Sequence, residues 1–74
     1  MIQYANLGGN SGVTSYQINP DSITVRFKDG STYQYTNSSA GLSAVNRMKW
    51  LAQAGQGLNT YIMHHVRKAY SSKW

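Results

Sequence analysis

Apolar residues recur at spacings of three and four between Gly55 and Tyr70. At about 100° per residue, Leu58, Tyr61, Ile62, His65, Val66 and Ala69 fall within roughly 140° of arc, which predicts a helix with one buried stripe. The other side carries Thr60, Met63, His64, Arg67 and Lys68. Its two cations sit in the last turn, where the negative end of the helix dipole favours them. Asn59 is the expected N-cap, with Leu58 stapled against Met63. His65, inside the stripe, is read as a hydrogen-bonded core residue, and His64 as exposed.

Between residues 13 and 36 the period shortens to two, predicting a three-stranded antiparallel meander. Pro20 and Asp21 form the centre of a type I turn that sets Ile18 opposite Ile23 and Tyr16 opposite Val25. The second turn has two readings. A two-residue Asp29-Gly30 loop pairs Arg26 with Tyr33 and turns the tyrosines to the side of the cations. A three-residue Lys28-Asp29-Gly30 loop, with Gly30 left-handed, pairs Val25 with Tyr33 and Ile23 with Tyr35. A slip of one residue therefore decides whether the tyrosines are core or platform. The three-residue loop is favoured because it makes both faces uniform: Tyr16, Ile18, Ile23, Val25, Phe27, Tyr33 and Tyr35 inward, and Ser15, Gln17, Thr24, Arg26, Thr32, Gln34 and Thr36 outward.

A first helix is expected after Thr36-Asn37-Ser38-Ser39, with Ser38 or Ser39 as N-cap and Gly55 closing it. Ala44, Val45, Met48, Leu51 and Ala52 form its buried face. Trp50 falls on the polar side beside Ser43, Asn46 and Arg47, either wedged under a loop or free for a partner or a base. Residues 1–12 contain Gly-Gly-Asn-Ser-Gly and are read as a flexible segment, although Ile2 and Tyr4 allow a short edge strand or a contact with a neighbouring subunit. The tail Ser71 to Trp74 is expected to be loose.

Charge adds a direction to this picture. The chain has seven Lys and Arg against two Asp and no Glu, a net charge of +5 over 74 residues. That balance suits an anionic partner, or serves solubility alone. No cysteine is present, which rules out disulfides and thiolate metal sites. Neither an apolar run of about 18 residues nor a signal-like start occurs, so the expected location is the cytoplasm. Both carboxylates, Asp21 and Asp29, sit in turns, and no base with an orienting partner can be assembled, which argues against an enzyme. His64 and His65 diverge by about 100° and lack further ligands, so no metal site or cofactor is expected.

Two features are receptive to phosphate. Gly55-Gln56-Gly57-Leu58-Asn59 opens the second helix with glycines that let backbone N–H groups approach a ligand. It is neither a Walker loop nor a dinucleotide fingerprint. Arg26, Arg47, Lys49, Arg67 and Lys68 supply cations. Asn59 and Arg67 lie about 12 Å apart along an ideal helix, too far to grip one phosphate.

The strand Ser22 to Lys28, the turn at Gly30, Tyr33-Gln34-Tyr35, Gly-Gln-Gly-Leu-Asn-Thr-Tyr-Ile from Gly55 and Val-Arg-Lys-Ala-Tyr from Val66 together resemble the KTSC domain. That small domain is named for the C-terminus of some lysyl-tRNA synthetases and also occurs as a free-standing bacterial or phage protein. The resemblance spans about residues 13 to 70. Tyr33 and Tyr35 match its tyrosine pair, and Gly55, Asn59 and Ile62 its positions near the second helix. Gln53 and Asn37-Ser38 depart from its usual serine and Val-Pro. The resemblance implies RNA binding and no catalytic residues.

The expectation is thus an α+β fold in which residues 13–74 form a single KTSC-like domain, a three-stranded antiparallel meander with two helices on one face. Its expected function is non-catalytic capture of a phosphate-bearing ligand through Arg26, Tyr35, Ser39, Lys49, Gly57, Asn59, Arg67 and Lys68. A nucleotide is the leading ligand, as for a phage protein that sequesters a small nucleotide signal in its bacterial host, and a homo-oligomer is expected, with pockets between subunits. The alternatives are an RNA-binding module and a protein-interaction or structural module using Trp50, Trp74 and Tyr4.

Overall fold

The structure, a computed structural model, describes residues 1–9 and 11–74. It is an α+β fold built on an antiparallel sheet, but the sheet has five strands rather than three. They are β1 (Ile2–Gln3), β2 (Val13–Asn19), β3 (Ser22–Phe27), β4 (Thr32–Thr36) and β5 (Ser72–Lys73), adjacent in that order. The helices are α1 (Asn37–Ala40), α2 (Leu42–Ala54) and α3 (Leu58–Tyr61), the last continued by a π-helical turn over Ile62–Val66.

The meander adopts the register that the three-residue loop requires. Ile18 pairs with Ile23 and Tyr16 with Val25, while Val25 also faces Tyr33 and Ile23 faces Tyr35. Gly30 lies at φ 88°, a conformation that costs glycine little and a β-carbon much. The inner face supplies Tyr16, Ile23, Val25 and Tyr35 to the core, against Val45, Met48 and Ala52 of α2 and Leu58, Ile62 and Val66 beyond it. A bulge at Thr14 shifts the β2 register. Val13 and Tyr16, three residues apart, are consequently both buried.

The chain ends depart from the expected loose segments. Ile2–Gln3 pair with Tyr16 and Ser15, so the edge-strand alternative is the one that forms. Tyr4 is buried, and its hydroxyl accepts a hydrogen bond from the Leu58 N–H at 3.3 Å. Leu7 N–H donates to the Gly55 carbonyl at 2.7 Å. Residues 1–9 therefore belong to the domain, while Asn10, part of the run read as loop, lies outside the described residues. At the other end Trp74 exchanges both backbone hydrogen bonds with Thr32, at 2.6 and 2.8 Å. Unpaired edge amides of β4 thereby find partners in the tail.

The helices also begin and end differently. Thr36, not Ser38 or Ser39, is the first N-cap: its Oγ1 accepts from Ser39 N–H, and Ser39 Oγ accepts from Thr36 N–H, both at 3.0 Å. This capping box closes a single helical turn before Gly41, at φ 96°, starts α2. Gly57, left-handed at φ 83°, precedes α3 in place of Asn59; Leu58 is fully buried and Met63 exposed, so no staple forms. Across this π turn Ile62 and Val66 stay on the core with Leu58, while His65 lies outside it. His65 is exposed and stacks on Tyr61 with ring centroids 4.6 Å apart, so it is no core residue.

Gly55 closes α2 at φ 78° as expected, and the N-terminal segment packs against it. A β-carbon there would stand 2.7 Å from the Ala5 Cβ. Gly55→Ala is expected to cost roughly 2–4 kcal/mol, combining left-handed strain with an overpacked contact. Urea unfolding with an unchanged m-value checks this; a loss under 0.5 kcal/mol contradicts the packing.

Candidate functional site

The sheet and the helical layer part at one end to leave a cleft of about 540 Å³. One wall comes from the end of the β3–β4 hairpin, with Phe27, Lys28, Asp29 and Tyr33. The other comes from Asn59, Ile62 and Met63, followed by Arg67, Lys68 and Tyr70. The hairpin register makes the first wall aromatic. Phe27 meets Tyr33 edge-on at 5.4 Å and 89°, and Tyr33 meets Tyr70 at 5.0 Å and 73°. Edge-to-face contacts of this kind hold rings in fixed orientations. Lys73 Nζ lies 5.4 Å from the Tyr33 ring centroid, within cation–π range.

Lys28, Arg67 and Lys68 surround these rings with positive charge, and all three are exposed. Asp29 is the one carboxylate among them. Its Oδ1 accepts from the Ser31 hydroxyl at 2.6 Å and the Ser31 N–H at 3.0 Å, which holds the carboxyl below its ordinary range and keeps it charged. Tyr35 is only 1% exposed and forms part of the cleft's inner wall. Burial, and then the neighbouring Tyr33 and Tyr70, push its hydroxyl up to about 12. It remains a neutral phenol at physiological pH.

The cleft gathers four of the expected ligand residues, Tyr35, Asn59, Arg67 and Lys68. Gly57 lies beside it, in a smaller cavity of about 220 Å³ that shares Asn59. The others are elsewhere. Arg26 is exposed on the sheet face opposite the helices, where Thr24 and Thr32 are buried, and its Nε donates to Thr32 Oγ1 at 3.4 Å. Ser39 spends its N–H and hydroxyl on Thr36. Lys49 Nζ donates to the Asn19 and Pro20 carbonyls at 2.7 and 3.2 Å, tying α2 to the β2–β3 turn. Trp50 is 60% exposed on α2, without a covering loop, and the Arg47 guanidinium lies 5.2 Å from its ring. Trp74 is 63% exposed at the sheet edge.

Sequence reasoning missed Lys28, Phe27, Tyr33 and Tyr70 as site residues. The favoured register already placed Phe27 and Tyr33 inward beside the Lys28 loop. Tyr70 had no such signal, because it reaches the cleft only after the chain leaves the π turn and returns as β5. No helix among the described residues is long and apolar enough to cross a membrane. Comparison of the chain with protein-family models, curated proteins and solved structures gives no match.

The raised value for Tyr35 fixes a pH dependence. Both folded and unfolded forms keep this proton below pH 10, so its contribution to stability is intact there. Between about pH 10 and 12 only the unfolded chain gives it up, and the contribution is lost as pH rises. Denaturant midpoints measured from pH 8 to 12 should fall over that window in the natural chain, with a smaller fall in Tyr35→Phe; equal slopes contradict it.

Proposed function

We propose that this chain captures a nucleotide and releases it unchanged. The observation that carries this reading is the union, in one cleft, of an edge-packed aromatic wall with Lys28, Arg67 and Lys68. A base is a flat apolar surface with polar edges, and aromatic side chains receive it by stacking and edge contacts. Phosphates are met by ammonium and guanidinium groups, and Arg67 can offer a planar fork to two oxygens. A volume near 540 Å³ falls in the usual span of small-ligand sites, about 300–1,000 Å³.

Three cations against the single carboxylate of Asp29 leave the cleft positive. Asp29 stands on an exposed loop, where its Oδ1 is taken up by the Ser31 hydroxyl. That arrangement supports binding without chemistry. A small ligand suits it better than an RNA strand. Backbone recognition of RNA needs cations along a track, whereas Arg26 and Lys49 point away from the cleft and Lys49 is committed to backbone carbonyls. The KTSC resemblance, with its implication of RNA, supports phosphate as the recognised group. The cleft is assembled within one chain, so the reading does not require a second copy.

Arg67→Ala combined with Lys68→Ala should weaken nucleotide binding about 10- to 100-fold, since each exposed charge-assisted contact is worth roughly 1 kcal/mol or more. Arg47→Ala, on the Trp50 side of α2, should change it less than about twofold. Calorimetric titration of nucleoside mono-, di- and triphosphates at two salt concentrations measures both, with affinity falling as salt rises. Absence of binding across the panel, or equal effects of the two variants, overturns the reading.

A further inference from the structure

Asn59 stands in the wall of two cavities, the aromatic cleft and its neighbour of about 220 Å³. The two differ in chemistry. Every charged side chain is on the cleft side, whereas the second cavity is bounded by Tyr4, Asn6, Ser11, Gln56 and Thr60, hydroxyls and amides without a formal charge. Part of that set is already engaged: the Tyr4 hydroxyl accepts from Leu58 N–H, and Asn6 Oδ1 accepts from Ser11 N–H at 3.1 Å. Gln56 and Thr60 are exposed, and their polar groups face solvent or a ligand.

Neutral donors and acceptors without a cation are poor company for another phosphate. They match an uncharged group rich in hydroxyls, each of which both donates and accepts. At about 220 Å³ against about 540 Å³ the cavity is less than half the size of the cleft, which suits one small group rather than a second nucleotide. Asn59 is in the wall of both, so the cavity and the phosphate-receptive cleft are neighbours.

We propose that the ligand class is a nucleoside diphosphate esterified to a neutral polyhydroxyl group. The nucleoside and phosphates occupy the cleft, the glycosyl group occupies the second cavity, and Asn59 stands at the junction. This inference rests on the nucleotide reading above and adds the second compartment to it. Its signature opposes simple electrostatics. Esterifying a diphosphate removes negative charge, which by itself weakens attraction to Lys28, Arg67 and Lys68. A gain in affinity on adding the sugar must therefore come from the neutral cavity.

The test is calorimetric titration of the full chain at low salt with matched pairs: UDP and UDP-glucose, ADP and ADP-ribose, GDP and GDP-mannose. In at least one pair the glycosyl ester is expected to bind about 10-fold tighter, the equivalent of one or two added neutral hydrogen bonds. Gln56→Ala with Thr60→Val, both at exposed positions, should abolish that gain and leave the diphosphate affinity within about twofold. Diphosphates that bind with no gain from any sugar overturn the second compartment and leave the nucleotide reading standing. A gain that survives the double substitution also overturns it. Failure of all six ligands to bind overturns the second compartment, and the nucleotide reading falls with it only if the mono- and triphosphates fail as well.

Discussion

The Lys28-Asp29-Gly30 loop closes through two short hydrogen bonds, from Phe27 N–H to the Ser31 carbonyl at 2.9 Å and from Gly30 N–H to the Phe27 carbonyl at 3.0 Å. That closure requires the left-handed Gly30, and it fixes the parity of every residue in β4 relative to β3. Tyr33 and Tyr35 are inward as a result. A shift of one residue would send them to the face that now carries Thr24, Thr32 and Gln34. The core would lose Tyr35, the cleft would lose its aromatic wall, and Tyr70 would have nothing to pack against. Core and candidate site therefore depend on the same turn.

The cations show why net charge alone is a poor guide to a binding surface. Lys49 serves as an internal cross-link, its ammonium satisfying two peptide carbonyls of the β2–β3 turn. Arg47 lies over an indole and Arg26 reaches Thr32 on the sheet face away from the helices. Lys73 leans on Tyr33 from β5. Lys28, Arg67 and Lys68 remain around one concavity, and local placement rather than the overall +5 makes the cleft attractive to an anion.

Much of the central meander could be read from the residues, because Pro20-Asp21 and Asp29-Gly30 are turn formers at spacings that leave one register with two uniform faces. The apolar stripe of α2 was equally legible, since its Val45, Met48 and Ala52 repeat at helical spacing. Of the outer strands, the first was legible only as an alternative, through Ile2 and Tyr4, and the last was not. A two-residue strand such as Ile2–Gln3 or Ser72–Lys73 carries no periodicity, and only the unpaired edges of β2 and β4 select it. The second helix misled in its latter half. Its spacing fits an α-helix throughout, whereas Ile62–Val66 forms a π turn and His65 lies on the exposed side. For the site, Asn59, Arg67, Lys68 and Tyr35 followed from local pattern. Lys28 and Tyr70 enter through tertiary contacts that no local pattern encodes.

The five strands follow the chain in order, and β5 is the member whose partner lies far away in sequence, on the other side of the helical layer. It is also short, exposed and at an edge. Strands of that kind are where partial openings that leave a core closed tend to begin. Tyr70 and Lys73 would leave with β5, stripping one side of the cleft while Ile23, Val25, Val45 and Met48 stay packed. One wall of the cleft thus hangs on a margin of the sheet, whereas the core does not.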